Sequence, residues 1–441
     1  MKLLIRGGRV LDPASGTDGI RDILTENGVI REVGENLNAE ADTCVDASGK
    51  WVLPGLIDLH VHFRDPGFTD KETIRTGARA AARGGFTTVC QMPNTRPVVD
   101  SAEAVREAIH KAEECTYIHV LPIAAITAGQ DGEYITDFAG LKAAGAVAVS
   151  EDGKSVMNAR VARQAMRLAA LTDIPVFAHC EDINLRAHGV MNAGAHAKSL
   201  GLYGILNAVE DIIAARDILL AADTGCRLHL CHCSTENTVR FVKEARQLGL
   251  PVSAEVTPHH FSLDETAVDG TDSNFKMNPP LRSRRDVDAL LEGLHDDTME
   301  VISTDHAPHT AEEKSRPFAQ APFGIVGLET SVGLTMTQLV HKGVLTPMQM
   351  AQKMSYNPAQ IIKSQRGTLL PGRAADITVI DPEAEWTVNP RLFASKGKNT
   401  PFAGWKLKGR TVLTVADGRI VYEYREGSET LIDKDVRHLE E

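Results

Sequence analysis

Between residues 55 and 309 the chain alternates short apolar runs with longer stretches in which apolar residues recur every three or four positions. The short runs are GLIDLHVHF (55–63), FTTVCQMP (86–93), YIHVLPIAA (117–125), GAVAVSED (145–152), IPVFAHCE (174–181), CRLHLCHCS (226–234), PVSAEVTPHH (251–260) and VISTDHAPH (301–309). Near-continuous apolar character over such a length marks a strand buried on both faces. Most gaps between them hold Ala-rich helical patterns, such as KETIRTGARAAARGG, AEAVREAIHKAEE, NARVARQAMRLAALT and ENTVRFVKEARQLG. Strand then helix, eight times over, predicts an α/β fold of the (β/α)8 TIM-barrel type. A doubly wound sheet is the alternative, but eight repeats and no GxGxxG after the first run favour the barrel.

The two ends read differently. LLIRGGRVLD, RDILTENG and VIREVGEN at the front, and GTLLPGRAADITVID, EWTV and LKGRTVLTVADGRIVYE at the back, are short strands punctuated by turn residues. Neither end is long enough for a good core alone. Residues 1–54 and 367–425 are therefore expected to combine as one small β-sandwich domain beside a barrel spanning 55–366. The charged run 426–441 is expected as a surface tail or a late helix.

A composition of 43% hydrophobic and 24% charged residues is that of a folded soluble protein. No apolar run approaches the ~20 residues of a membrane helix, and the opening MKLLIRGGRVLDP reads as a strand, without a signal-peptide core. A net charge of −12 argues against nucleic acid or an anionic membrane as the main partner, so an anionic substrate must be drawn in by local cations. The seven cysteines (44, 90, 115, 180, 226, 231 and 233) show no CxxC pair or disulfide framework, which points to a reducing cytoplasm. Read as a strand, CHC at 231–233 turns both thiols away from His232, as packing groups.

Candidate chemistry lies at the C-terminal ends of the runs, where barrel enzymes carry their working groups. The first run ends on His60 and His62, which point the same way along a strand and can grip one object. The second leads to Asn94, the fourth to Glu151, Asp152 and Lys154, the fifth to His179, the sixth to His232 and the eighth to Asp305. A single histidine after an apolar strand is more often a hydrogen-bonded core residue than a ligand, and Asp152 in EDG also reads as a turn residue. Core histidines, however, have no reason to repeat one phase at several strand ends. Four imidazoles and two carboxylates on one rim suit a borderline cation such as Zn²⁺, and six donors suggest a pair of ions. Such a pair is hydrolytic equipment. His119, His229 and His295 lack the terminal position and read as structural, while His259 and His260 stay open.

The motifs PGLIDLHVHFRDPG (54–67) and GRAADITVID (372–381) resemble the amidohydrolase superfamily of metal-dependent cyclic-amide hydrolases. Within it, HFRDPG, MPNT, SEDG, AHCED, CHCST, KMNPPLR and STDHAPH together are similar to the long bacterial type of dihydroorotase, over nearly the whole chain. The resemblance implies that His60, His62, Asp152, His179, His232 and Asp305 hold one or two Zn²⁺ ions, two rather than one. Many relatives bridge their metals with a carboxylated lysine; SEDG puts Asp152 at that place, with Lys154 as its competitor. Substrate contacts are implied for His62, Asn94, Asn278, His309, Phe323 and Gly324. Arg64 can offer a fork to the carboxylate of dihydroorotate. The polar, Pro-punctuated segment 310–324 reads as a lid or as a plain surface loop.

The implied activity is reversible cyclisation of N-carbamoyl-L-aspartate to L-dihydroorotate in pyrimidine synthesis, with Asp305 as the proton shuttle. Implied partners are a small-molecule substrate, a second copy in a dimer, and an aspartate transcarbamoylase. One rival is another cyclic amidase (hydantoinase, dihydropyrimidinase or allantoinase), which needs no cation for a substrate carboxylate. The other is an inactive scaffold for the transcarbamoylase, which would be expected to have lost ligands.

Overall fold

In the computed structural model, which describes residues 1–425 and 427–434, all eight apolar runs are strands of one parallel sheet. In order they are β1 (Leu56–Val61), β2 (Phe86–Gln91), β3 (His119–Ala125), β4 (Ala148–Ser150), β5 (Val176–Ala178), β6 (Leu228–Leu230), β7 (Val252–Val256) and β8 (Val301–Ile302). The sheet is nearly closed: Val61 bridges His306, and the His62 amide donates to the His306 carbonyl at 2.9 Å. That contact joins the end of β1 to the segment after β8, and it rules out an open doubly wound sheet.

Helices α1 (Ile74–Gly84), α2 (Ala102–Cys115), α3 (Phe138–Ala144), α4 (Ala159–Thr172), α5 (Ala208–Thr224), α6 (Glu236–Gln247) and α7 (Arg284–His295) follow β1 to β7 in turn. Thr73, Ser101, Asn158, Thr235 and Ser283 start five of them by accepting a backbone N–H of the first turn. Their inward stripes are rich in alanine, as in Ala78, Ala81 and Ala82 of α1, so helix and sheet approach closely. Along the strands, Ala148, Phe177 and Val301 pack into the barrel beneath the segments that carry Asp152, His179 and Asp305. These three join Cys90, Ile123 and Cys231 in one apolar cluster. The barrel is thus filled with side chains below its rim.

The chain ends build one nine-stranded sheet, in which Trp51–Pro54 from the front pairs antiparallel with Ile377–Thr387 from the back. Leu3, Ile5, Val10 and Ile23 share a core there with Ile377, Val379, Leu413 and Val415. The sheet folds over that core, since the Ile30 amide donates to the Arg373 carbonyl and the Gly372 amide to that of Ile30, both at 2.8 Å. One element departs from expectation. Ser428–Leu431, within the run read as a tail, is an edge strand on Arg419–Arg425. Two cations of α1 hold this segment, Arg83 to Glu429 at 2.9 Å and Arg79 to Asp433 at 2.7 Å. The rest of that run, from 435, lies outside the described residues.

The HFRDPG motif has a steric cause at its last position. Gly67 has φ +96°, and a Cβ there would sit 2.2 Å from the Arg96 carbonyl oxygen. Gly67→Ala is therefore expected to destabilise by about 2–4 kcal/mol, the left-handed penalty plus that of overpacking. A thermal melt checks this; an unchanged midpoint would contradict the constraint.

Candidate metal centre

Each of the six donor residues stands within a few positions of its strand's C-terminal end. His60 lies in β1 and His62 just past it, while Asp152, His179, His232 and Asp305 follow β4, β5, β6 and β8. None is more than 7% exposed. Arg64, His232 and Asp305 all have left-handed backbones, with φ of +61°, +35° and +49°. Such conformations in non-glycine residues cost about 1–3 kcal/mol each and cluster at functional sites. Here they turn side chains inward at the point where regular strand alternation has stopped.

The donor atoms converge. Asp152 Oδ1 lies 3.2 Å from His60 Nε2, 3.6 Å from His179 Nδ1 and 3.8 Å from His232 Nε2. Its Oδ2 is 3.4 Å from His62 Nε2. Asp305 Oδ1 is 3.1 Å from His62 Nε2 and 3.6 Å from His60 Nε2. His179 Nδ1 and His232 Nε2 are 2.9 Å apart. Asp152 therefore touches both histidine pairs, and Asp305 only the first. Lys154 is elsewhere, its Nζ donating to the Gln130 carbonyl at 2.8 Å.

Burial opposes every charge here, and at Asp152, Asp305 and His179 the neighbours outweigh it. Burial would raise the Asp152 pKa, but His60, His179 and His232 hold it well below the ordinary carboxylate range. Burial likewise works against Asp305, and His62 and His60 bring it down to about 2. On His179, burial is overcome by Asp152 and Glu181, which raise it to about 10. His62 goes the other way, because burial dominates its neighbours and lowers its pKa.

The donor chemistry fits a divalent cation. His60–His62–Asp305 and His60–Asp152–His232 each bring ligand atoms within 4.8 Å of one another. Among the described residues, His60 Nε2 and Asp152 Oδ1 are buried with no hydrogen-bond partner. Orphaned buried polar atoms are expensive unless an ion or water satisfies them. Imidazole nitrogens and carboxylate oxygens are the donors a borderline metal takes.

A cleft of ≈ 260 Å³ opens over the cluster, lined by Arg64, Asn94, Asn278, His309, Phe323 and Gly324 among others. Among the described residues, Arg64 engages only through Nε, which donates to the Pro308 carbonyl at 3.4 Å. Asn94 faces the cluster itself, with Oδ1 2.9 Å from His62 Nδ1 and Nδ2 3.3 Å from Asp152 Oδ2. Asn278 donates to Glu181 Oε1 at 3.1 Å. His309 lies between Glu313 Oε2 at 3.2 Å and the Phe323 carbonyl at 2.9 Å. Gly324, expected to offer its backbone to a ligand, already donates its amide to the Lys276 carbonyl at 3.0 Å. A Cβ on it would sit 3.0 Å from the Ala307 carbonyl and 3.3 Å from His309 Nε2.

Several groups escaped the sequence reading. Glu181 accepts from His179 Nε2 at 3.2 Å and pairs with Arg186 at 2.7 Å, and all three residues line the cleft. Glu255, unexposed in β7, contacts His60 Nδ1 at 3.0 Å. Its partner is His229 at 3.0 Å, so that histidine is structural in kind but belongs to the support of the site. Asp58 accepts the amides of His60 and Thr304, and its burial pushes it up to about 7. Its spacing from His60 and His62 was the one signal available. The strand reading of CHC holds only in part: Cys231 and Cys233 are buried packing thiols in apolar clusters, but β6 stops at Leu230 and Cys231 lies with His60 and Glu255 instead of turning away from the site. His259 and His260 lie in the short helix Pro258–Ser262, where His260 is tied to Thr257 and the Pro279 carbonyl.

Barrel, folded terminal sheet and buried histidine–aspartate cluster together define the amidohydrolase class of enzyme. Comparison with known proteins agrees. The family model described as Dihydro-orotase-like matches residues 49–238. A dihydroorotase from Pelotomaculum thermopropionicum is 52% identical, covering 96% of this chain and 99% of its own. One from Syntrophus aciditrophicus is 47% identical, over 96% and 100%. Among solved structures, an L-hydantoinase (dihydropyrimidinase) from Arthrobacter aurescens superposes with a TM-score of 0.87 at 25% identity, over 96% of each chain. A D-hydantoinase (dihydropyrimidinase) from Thermus sp. gives 0.83 at 26%, covering 98% of this chain and 97% of that one. The chain belongs to the dihydroorotase family. No helix among the described residues is long and apolar enough to cross a membrane.

Segment 310–324 is stitched down by two lysines. Lys314 Nζ donates to the carbonyls of Pro322 at 3.1 Å and Gly324 at 3.0 Å, and Lys276 Nζ to those of Phe318 and Ala321 at 2.8 and 2.6 Å. Burial lowers the Lys314 pKa to about 7 and that of Lys276 to about 8, so these partly charged donors contribute about 0.5–3 kcal/mol per hydrogen bond. Lys314→Met is expected to raise the rate of limited proteolysis within 315–323 about tenfold or more, leaving the barrel intact. Equal cleavage of both proteins would show that the ammonium does not hold the loop.

Proposed function

We propose that the chain is a dihydroorotase that interconverts N-carbamoyl-L-aspartate and L-dihydroorotate, closing the ring for de novo pyrimidine (UMP) synthesis. The observation that carries this reading is Arg64. It sits beside the donor cluster with most of its guanidinium uncommitted among the described residues and facing the cleft. A cyclic substrate with a ring carboxylate needs such a fork, whereas hydantoin, dihydropyrimidine and allantoin rings carry no carboxylate to match it. The relatives named dihydroorotase, at 47–52% identity over nearly the full chain, support the same choice.

Two Zn²⁺ ions are the cofactor we assign to the centre, and His60, His62, Asp152, His179, His232 and Asp305 would hold them. When bound, such a pair supplies Lewis acidity and brings the pKa of water toward neutrality. The remaining work falls to side chains. Arg64 holds the substrate carboxylate, and Asn278 lines the same cleft against Glu181. Asn94 presents its oxygen to His62 Nδ1, which leaves Nε2 directed at the carboxylates. Asp305 is ionised at neutral pH and can accept the proton that the attacking water loses. It returns that proton to the ring nitrogen as the carbon–nitrogen bond breaks, and the reverse order closes the ring. Asp152 rather than Lys154 would belong to this ligand set, because the Lys154 Nζ donates to the Gln130 carbonyl instead.

The hydantoinase neighbours keep a second cyclic-amide specificity in view, and hydrolysis of dihydroorotate against hydantoin and allantoin separates the two. An inactive scaffold is disfavoured because all six donor positions are filled. We further propose a cytoplasmic enzyme, where its seven free cysteines would stay reduced, acting as a homodimer and able to associate with an aspartate transcarbamoylase.

Chelation of the metal is expected to abolish turnover, and added Zn²⁺ to restore it. Asp305→Asn is expected to keep most of the metal while kcat falls about 100-fold or more; near-normal turnover with metal bound would remove the shuttle role. Arg64→Met is expected to raise KM for dihydroorotate about 10- to 100-fold, the loss of a charge-assisted pair. A steady-state assay with an unchanged KM would redirect the carboxylate to another cation.

A further inference from the structure

Glu255 joins the two halves of the candidate centre from beneath. Its Oε1 receives two N–H donors: Nδ1 of His60 at 3.0 Å and the backbone amide of His232 at 3.1 Å. The first donor belongs to a side chain on β1, the second to the left-handed turn after β6. Its other oxygen lies 3.0 Å from His229 Nε2. His229 Nδ1 in turn lies 2.8 Å from Ser253 Oγ, and the Phe177 ring packs against the imidazole at 4.7 Å. Both Glu255 and His229 have no exposed surface.

Tautomer choice gives this chain its meaning. His60 Nε2 is the atom that faces Asp152 and Asp305, and its lone pair is free only when the ring proton sits on Nδ1. A carboxylate at Nδ1 enforces that arrangement and strengthens the ring as a donor. A buried carboxylate with a free oxygen would be costly and free to rotate, and His229 removes both faults. The same oxygen holds the His232 amide, whose backbone would otherwise relax from φ +35°.

We propose that Glu255 and His229 are positioning residues: a carboxylate–imidazole pair in the barrel lumen that sets the Nδ1–H tautomer of His60 and the turn at His232 through a single oxygen atom. Neither touches the cleft or the substrate. The inference rests on the reading of the cluster as a metal centre and adds the groups that pre-form it.

The test compares the loaded wild-type enzyme with Glu255→Gln, an isosteric change that removes the charge. The quantity measured is the equilibrium transfer of Zn²⁺ to a chromophoric chelator. Glu255→Gln is expected to weaken Zn²⁺ affinity 10- to 100-fold. With ¹⁵N-histidine labelling of the metal-free proteins, the His60 Nδ1–H signal of wild type is also expected to shift upfield and exchange faster in Glu255→Gln, where a neutral amide oxygen replaces the carboxylate as acceptor. Wild-type affinity together with an unchanged tautomer signal would overturn the proposal. If wild type itself holds no divalent ion, the metal reading fails instead, a separate outcome. Should Glu255→Gln not fold, His229 decides. His229→Gln keeps a donor to Glu255 and is expected to hold Zn²⁺ within about threefold of wild type, whereas His229→Ala is expected to lose at least tenfold. Equal affinity in these two would overturn the pair's role.

Discussion

Two carboxylates, Asp152 and Asp305, are buried beside the same imidazole nitrogen of His60, and the rest of the structure answers to that crowding. Like charges cannot share a dry space unless cations or protons stand between them. His60, His62, His179 and His232 surround that space from three strand ends, as nitrogen donors an ion can use. A donor set so arranged tolerates little displacement, because each atom's partner is another atom of the set. The closed ring of strands provides the stiffness, and the His62–His306 hydrogen bond completes it at the point where β1 and β8 carry donors.

Around the donors lies a second set of buried polar pairs. Glu255 lies at His60, Asn94 at His62 and Glu181 at His179. Behind His232, Glu210 accepts the amides of Ser234 and Thr235 and pairs with Arg282. Beside Asp305, His306 lies 3.4 Å from Glu72, which also binds Ser395. Five of the six donor segments thus have a carboxylate or amide partner beside them. In a low-dielectric interior such pairs are strong when complete and damaging when broken. The site is therefore rigid at its base, and its cleft wall of 310–324 is tethered by ammonium–carbonyl contacts, which exchange more readily than packed core.

The terminal sheet serves the barrel from one side. Its contacts with α1, through Thr411 to the Gly84 carbonyl at 3.1 Å and Thr414 to that of Ala82 at 2.7 Å, fix the helix that follows β1. Arg366 pairs with Asp376 and Asp417 while His119 of β3 lies 3.4 Å from Asp417, so charge joins the two layers as well. None of these groups reaches the cleft.

Much of this was legible in the order of residues alone. Strand identity followed from runs too apolar to face water, and the facing of His60 and His62 followed from the phase of their strand, whereas left-handed turns at His232 and Asp305 bring those two inward. Local rules of that kind act over two to four positions, so the chain displays them openly. What it did not display was anything needing two distant segments at once: the meeting of Glu255 with His60 across the barrel, the tie from Lys314 to Gly324, or the edge strand at Ser428–Leu431. Cys231 was misread because a left-handed residue at His232 ends the alternation, and φ is not written in composition. Sequence settled which chemical groups stand at the rim, because periodicity is local. Only the closed fold decided which of them touch, because contact between distant strands is a property of the ring.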